Sequence, residues 1–66
     1  MNIILNGKEH SVEAPTTIAD LLRGWGQDPG RVVVEYNGQI IAREAVETAV
    51  IKEGDLLEVV RLVGGG

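Results

Sequence analysis

The sequence predicts a two-layer α+β domain, with one helix laid over a mixed sheet of four or five strands. Three observations lead there: a chain of 66 residues that is 44% hydrophobic, short β-branched runs that stop at Asn-Gly pairs, and a single well-signalled amphipathic helix. At this length roughly 60% of the unfolded surface can be buried, enough for one core and no second domain. A lone helix covers one face of a sheet, so the other face is expected to stay wet.

Residues 2–12 read as a β-hairpin. Ile3, Ile4 and Leu5 lead into Asn6-Gly7, a pair that tolerates the positive φ of a type I′ turn. Thr17 stands as N-cap with Asp20 three residues on, and Pro15 keeps the helix from running back into the hairpin. From about Ile18, the residues Ile18, Leu21, Leu22 and Trp25 recur at i, i+3, i+4 and i+7 and form one apolar stripe. Gly24 and Gly26 end it. Residues 27–30 are expected to be a loop, and Val32, Val33, Val34 and Tyr36 a strand that stops at Asn37-Gly38. Residues 39–42 suggest a short return strand, and residues 43–50 leave room for a turn of helix. After a charged turn at residues 52–55, residues 56–63 form the last strand.

Alternation then assigns the faces. Leu57 and Val59 should point under the helix with Ile3, Leu5, Val32 and Val34, leaving Glu58, Val60 and Leu62 on the open side. With Ile4 and Val33, the residues Val60 and Leu62 make an apolar stripe flanked by Glu35 and Glu58. Such a stripe either marks a partner surface or is covered by loops.

Composition excludes much. Six Lys and Arg against ten Asp and Glu give a formal charge of -4, unsuited to a nucleic-acid groove and better matched to a basic protein surface. The chain has no Cys, hence no disulfide, thiolate nucleophile or Cys-type metal site. No run reaches the ~20 apolar residues of a membrane span, and the first residues lack the pattern of a signal peptide, so a cytoplasmic protein is expected, free of membranes. His10, the single histidine, reads as a surface or partly buried side chain. Gly24-Trp25-Gly26 mimics a dinucleotide fingerprint, but Pro29 takes the place of its third glycine and no strand precedes it. Trp25, closing the helix stripe, is expected in the core. Glu44, Glu47, Glu53 and Asp55 read as solvated charges. No catalytic constellation, metal site or bound cofactor is expected.

What remains is Gly64-Gly65-Gly66, which follows the last strand directly. A carboxylate at Gly66 is a poor acyl electrophile and would need activation, typically by ATP to an acyl adenylate. Without a Cβ, Gly65 and Gly66 can enter a narrow channel and let an adenylating enzyme come close. Misplacing the reacting carboxylate by about an ångström can cost about a hundredfold in rate. The expected organisation is thus a globular unit over residues 1–63 and a flexible tail over residues 64–66.

Several stretches carry a resemblance: Asn6-Gly7, Thr17-Ile18-Ala19-Asp20-Leu21-Leu22, Val34-Glu35-Tyr36-Asn37-Gly38, Arg43-Glu44, Glu53-Gly54-Asp55 and Val63-Gly64-Gly65-Gly66. Together they resemble the thiamine-pathway sulfur-carrier family over the whole chain. Ala42 and Val46 depart from the family's usual proline and aromatic or polar residue. The resemblance implies a ubiquitin-like β-grasp fold and a protein cosubstrate, not an enzyme. It implies that an E1-like partner adenylates Gly66 with ATP and that sulfur from a cysteine desulfurase or related donor converts it to a thiocarboxylate. That group then donates sulfur to thiazole synthase. Val33, Glu35, Glu58, Val60 and Leu62 would dock the partners, Gly64 and Gly65 would thread their active sites, and the free carrier would be a monomer. Carriers for molybdopterin or other sulfur pathways and ubiquitin-like modifiers share the tail and stand as alternatives.

Overall fold

Two Asn-Gly turns organise the sheet. Asn6 and Asn37 have φ of 49° and 50°, followed by Gly7 and Gly38 at 82° and 89°, the left-handed conformations that a two-residue hairpin turn requires. In the computed structural model, which describes residues 1–13 and 15–62, the first turn joins β1 (Asn2–Leu5) to β2 (Lys8–Ser11). The second joins β3 (Val32–Tyr36) to β4 (Gln39–Ile40). The last strand, β5 (Leu56–Arg61), enters between the hairpins, giving the order β2-β1-β5-β3-β4. It runs parallel to β1 and antiparallel to β3.

Helix α1 (Ile18–Gly24) starts where its cap predicts: the Thr17 side chain accepts a hydrogen bond from the Asp20 N–H at 3.1 Å. Its buried residues are Ile18, Ala19 and Leu22. These pack with Ile3, Val34 and Leu57 from the sheet and with Val12, Val46 and Ile51 into one core. The predicted faces of the sheet therefore hold. Leu5, Val32 and Val59 also pack against the core, while Ile4, Val60 and Leu62 are exposed.

Four expectations need correction. The apolar stripe is centred on Ile18 and Leu22, so Leu21 lies at its half-buried margin. Trp25 has left the helix as its C-cap, with φ of -99° and ψ of 10°, and remains 40% exposed. Its ring covers His10 at a centroid distance of 5.4 Å. Because His10 pairs with Ile3 across the hairpin, this contact closes the core's edge without entering it. Residues 27–30, read as a loop, run into a 3-10 turn, Pro29–Arg31. The return strand is only two residues long, and the space after it holds a second helix, α2 (Arg43–Thr48), which contributes Val46 to the core. A six-residue helix is too short to stand on propensity. It is held by burial of Val46 and by Arg23 of α1, which reaches Glu47 at 2.6 Å as well as Asp20 at 3.2 Å. The predicted strand end at Val63, the domain boundary after it and Gly64, Gly65 and Gly66 lie outside the described residues.

Candidate docking face and strand exit

The face of the sheet turned away from the helices is built by pairing. In β5, Leu57 and Val59 point inward, which turns Leu56, Glu58 and Val60 outward. The β3–β5 register sets Val33 opposite Val60 and Glu35 opposite Glu58. Ile4 stands opposite Leu56, and Ile40 opposite Glu35. Residues that face each other across two strands share a side of the sheet, so Ile4, Leu56, Val33, Val60 and Ile40 occupy one surface. Val60 is 62% exposed and Leu62, just beyond the strand, 61%. Among the described residues no segment covers Val60 or Leu62. All five residues expected to dock partners belong to this face or its continuation at Leu62, although Val33 and Glu35 are half-buried.

Sequence reading missed Ile40 and Leu56. Both were accessible to it: Leu56 shares the parity of Glu58 and Val60, and a two-residue Asn37-Gly38 turn forces Ile40 opposite Glu35. The pairing of Glu35 with Glu58 adds a second feature. Like charges directly opposite destabilise a sheet, and none of the described ion pairs includes either residue. The surface thus combines exposed aliphatic side chains with two juxtaposed carboxylates, a pattern complementary to an apolar surface edged by Lys or Arg.

At the opposite end of β5, Asp55 overturns the expectation of a solvated charge, being 5% exposed. Its carboxylate accepts hydrogen bonds from the Tyr36 hydroxyl at 2.5 Å, the Lys52 N–H at 2.7 Å and the Asn37 amide at 3.2 Å. Burial pushes the carboxyl upward, but the donors from Tyr36, Lys52 and Asn37 together outweigh it and hold Asp55 below its ordinary value. Burial, followed by the bond to the Asp55 carboxylate, pushes the Tyr36 hydroxyl up to about 12. This cluster ties the turn before β5 to the β3–β4 hairpin. Glu53 is likewise engaged, accepting from the Asn2 N–H at 2.9 Å.

On the helix side, Trp25 borders two open grooves of about 320 and 200 Å³. The smaller is lined by Leu5, Asn6, Leu22, Gln27, Val59 and Arg61 as well. Neither lies on the open sheet face. Among the described residues there is no group of three or more potential metal-binding side chains, and no helix is long and apolar enough to cross a membrane.

Comparison with known proteins now adds to this geometry. The model of the ThiS family matches residues 3–66. The sulfur carrier protein ThiS of Bacillus subtilis is 38% identical over 63 residues, covering 94% of this chain and 96% of the relative. A thiazole synthase of Magnetococcus marinus is 44% identical over all 66 residues, and one of Paramagnetospirillum magneticum is 35% identical over the same length. The chain spans 20% of the length of each of these two synthases. The crystal structure of the thiamine biosynthesis protein ThiS from Geobacter metallireducens superposes with a TM-score of 0.82 at 33% identity, with both chains fully covered. The five-stranded mixed sheet under one main helix is the ubiquitin-like β-grasp fold. Whole-length similarity in sequence and in fold establishes that the chain belongs to the ThiS family.

Proposed function

We propose that the chain is a sulfur carrier of thiamine biosynthesis, acting as a protein cosubstrate whose reactive group is the carboxylate of Gly66. The observation that carries the reading is the exposed stripe on β5, which ends at Leu62 and is followed in sequence by Val63-Gly64-Gly65-Gly66. The near full-length similarity to a sulfur carrier protein supports it, and the similarity to two thiazole synthases favours the thiazole branch over molybdopterin or protein modification.

In this reading an E1-like partner transfers AMP from ATP to the Gly66 carboxylate and releases pyrophosphate. A persulfide, from a cysteine desulfurase or related donor, displaces AMP to give an acyl disulfide, and a thiol reduces that to the thiocarboxylate. The thiocarboxylate is a soft nucleophile, ionised at neutral pH, and attacks an electrophilic carbon in thiazole synthase without a base from this chain. Val33, Val60 and Leu62 dock on the partners, with Glu35 and Glu58 meeting cations at the rim. Gly64 and Gly65 thread the active sites because they present no side chain to the channel walls. ATP is the partner's substrate, and the carrier itself binds no cofactor. The reading places the protein in the cytoplasm, where its partners and ATP reside, and makes it a monomer between encounters.

Coexpression with an adenylating enzyme and a sulfur donor, followed by intact mass measurement, tests the proposal. The expected product is the chain with one oxygen replaced by sulfur, formed by the wild type and absent when Gly66 is deleted or its carboxyl is amidated. Unchanged mass in the wild type would refute it. Presenting the thiocarboxylate separately to thiazole synthase and to the large subunit of molybdopterin synthase identifies the branch: transfer to the latter alone would reject thiazole synthesis. Isopeptide adducts on other proteins would mark a modifier.

A further inference from the structure

Both hairpin turns are Asn-Gly pairs, and this dipeptide modifies itself readily because glycine sets no side chain in the way when its nitrogen attacks the preceding carboxamide. The glycine nitrogen loses its proton to solvent base and bonds to the asparagine Cγ, while Nδ2 takes up a proton and leaves as ammonia. Water then opens the cyclic imide to aspartate or isoaspartate. The net change turns one amide and one water into one carboxylate and one ammonium ion. Gly7 and Gly38 leave the space open: no atom beyond their chain neighbours lies within 4 Å of where a Cβ would stand.

The two carboxamides are held by different neighbours. Asn6 Oδ1 accepts from the Val59 N–H at 2.7 Å, and its Nδ2 donates to the Val59 carbonyl at 3.3 Å. Asn37 faces the entrance of β5 instead. Its Oδ1 accepts from the Leu56 N–H at 2.8 Å, and its Nδ2 donates to Asp55 Oδ1 at 3.2 Å. Cyclisation moves Cγ and expels Nδ2, so either asparagine has to break both bonds first, and the folded state guards both turns. The outcomes of conversion differ. At Asn6 an aspartate keeps the acceptor for the Val59 N–H and gives up one long bond at an exposed edge. At Asn37 it replaces the donor to Asp55 by a carboxylate oxygen, beside a carboxylate that is only 5% exposed. Two carboxylates sharing such a site do not both stay ionised without a large penalty.

We infer that Asn37 is a guarded deamidation site: hydrolysis of its carboxamide sets a second carboxylate against Asp55, loosens the tie between the β3–β4 hairpin and the entrance of β5, and, being irreversible, marks a chain that has spent time unfolded. The aspartate form at Asn6 leaves β5 tied. The site stands independently of the proposed sulfur-carrier function.

The test has two arms, both on the full chain. Wild type is held at mildly alkaline pH with and without urea, digested, and read by mass spectrometry for amide-to-acid conversion. Asn37 should convert at least about tenfold more slowly in the folded chain. Equal rates in the two states, or no conversion of Asn37 in urea, would overturn the guarded site. In the second arm, urea unfolding at neutral pH should show the folding equilibrium constant lowered about tenfold to a hundredfold in Asn37→Asp and within about fivefold of wild type in Asn6→Asp. Equal losses in the two variants would overturn the role of Asn37. Combining Asn37→Asp with Asp55→Asn leaves one carboxylate and one amide across the same gap, so the double variant should lose less than the sum of the two single losses. Simple addition would refute repulsion. Besides position 37, the groups facing Asp55 are the Tyr36 hydroxyl and Lys52, neither of which changes charge in the acid range. Repulsion raises one carboxyl of the Asn37→Asp pair, so the deficit of this variant against wild type should narrow as pH falls from about 7 to about 4. That measurement also serves should Asn37→Asp be unfolded at neutral pH: a deficit that persists in acid would count against the inference.

Discussion

The two ends of β5 lie only a few residues apart and live in different environments. At the entrance, Asp55 is buried under three hydrogen bonds and Leu57 lies in the core. At the exit, Val60 and Leu62 stand open to solvent beside a pair of opposed carboxylates. The difference lies along a single strand: the entrance is tied into the fold, and the exit leaves apolar surface free for the proposed docking. A small domain has little core to spare, and alternation lets this one strand give Leu57 and Val59 to it while Leu56, Val60 and, just beyond, Leu62 stay exposed.

Substitutions at the two ends should therefore fail differently. The largest effect on stability is expected from Leu57→Ala at the buried entrance, about 2–5 kcal/mol in urea unfolding, from lost burial and the cavity left among Ile3, Ile18 and Val34. A loss below about 1 kcal/mol would contradict a core tied to β5.

Asp55→Asn should follow with about 1.5–3 kcal/mol, since it removes a charged acceptor from the Tyr36 hydroxyl and the Lys52 N–H. It also carries a pH signature. Asp55 is held below its ordinary 3.8, so its contribution is present above that pH and fades as pH falls through the folded-state value. Tyr36 is raised from 10.0 to about 12, so its contribution is present below pH 10 and fades as pH climbs toward 12. Urea midpoints measured across both windows should fall at each end in the wild type. The acid limb should flatten in Asp55→Asn, and an unchanged limb would assign acid sensitivity elsewhere.

The smallest stability effect, within about 0.5 kcal/mol, is expected from Val60→Asp at the exit. Its affinity for the adenylating enzyme should nevertheless drop by about tenfold or more, as for a centrally placed apolar anchor. Retained affinity would remove Val60 from the docking face and with it the contrast between the two ends.

Much of this was legible before any coordinates. The Asn-Gly pairs announced both hairpins, Thr17 announced the helix, and alternation along β5 separated Leu57 and Val59 from Glu58 and Val60. Each of these signals lies within a few residues of the structure it specifies. The burial of Asp55 was hidden because two of the residues that satisfy it, Tyr36 and Asn37, come from a hairpin 19 and 18 positions away. Read locally, an aspartate in a charged turn looks solvated. Trp25 was misplaced for a related reason: periodicity puts it on the correct side of the helix, but the helix ends one residue earlier, and the tilt that sends its ring to His10 depends on where the sheet's edge lies.

The sequence by itself determined the turns, the helix start, the inward and outward residues of each strand and the glycines that follow the last one, because these depend on backbone sterics and on side-chain period. Tertiary structure alone decided that β5 enters between two hairpins. That choice sets Glu35 against Glu58, buries Asp55 and brings the Asn6 carboxamide to Val59, because hydrogen bonds and charge pairs between distant segments exist only once the strands have found their register.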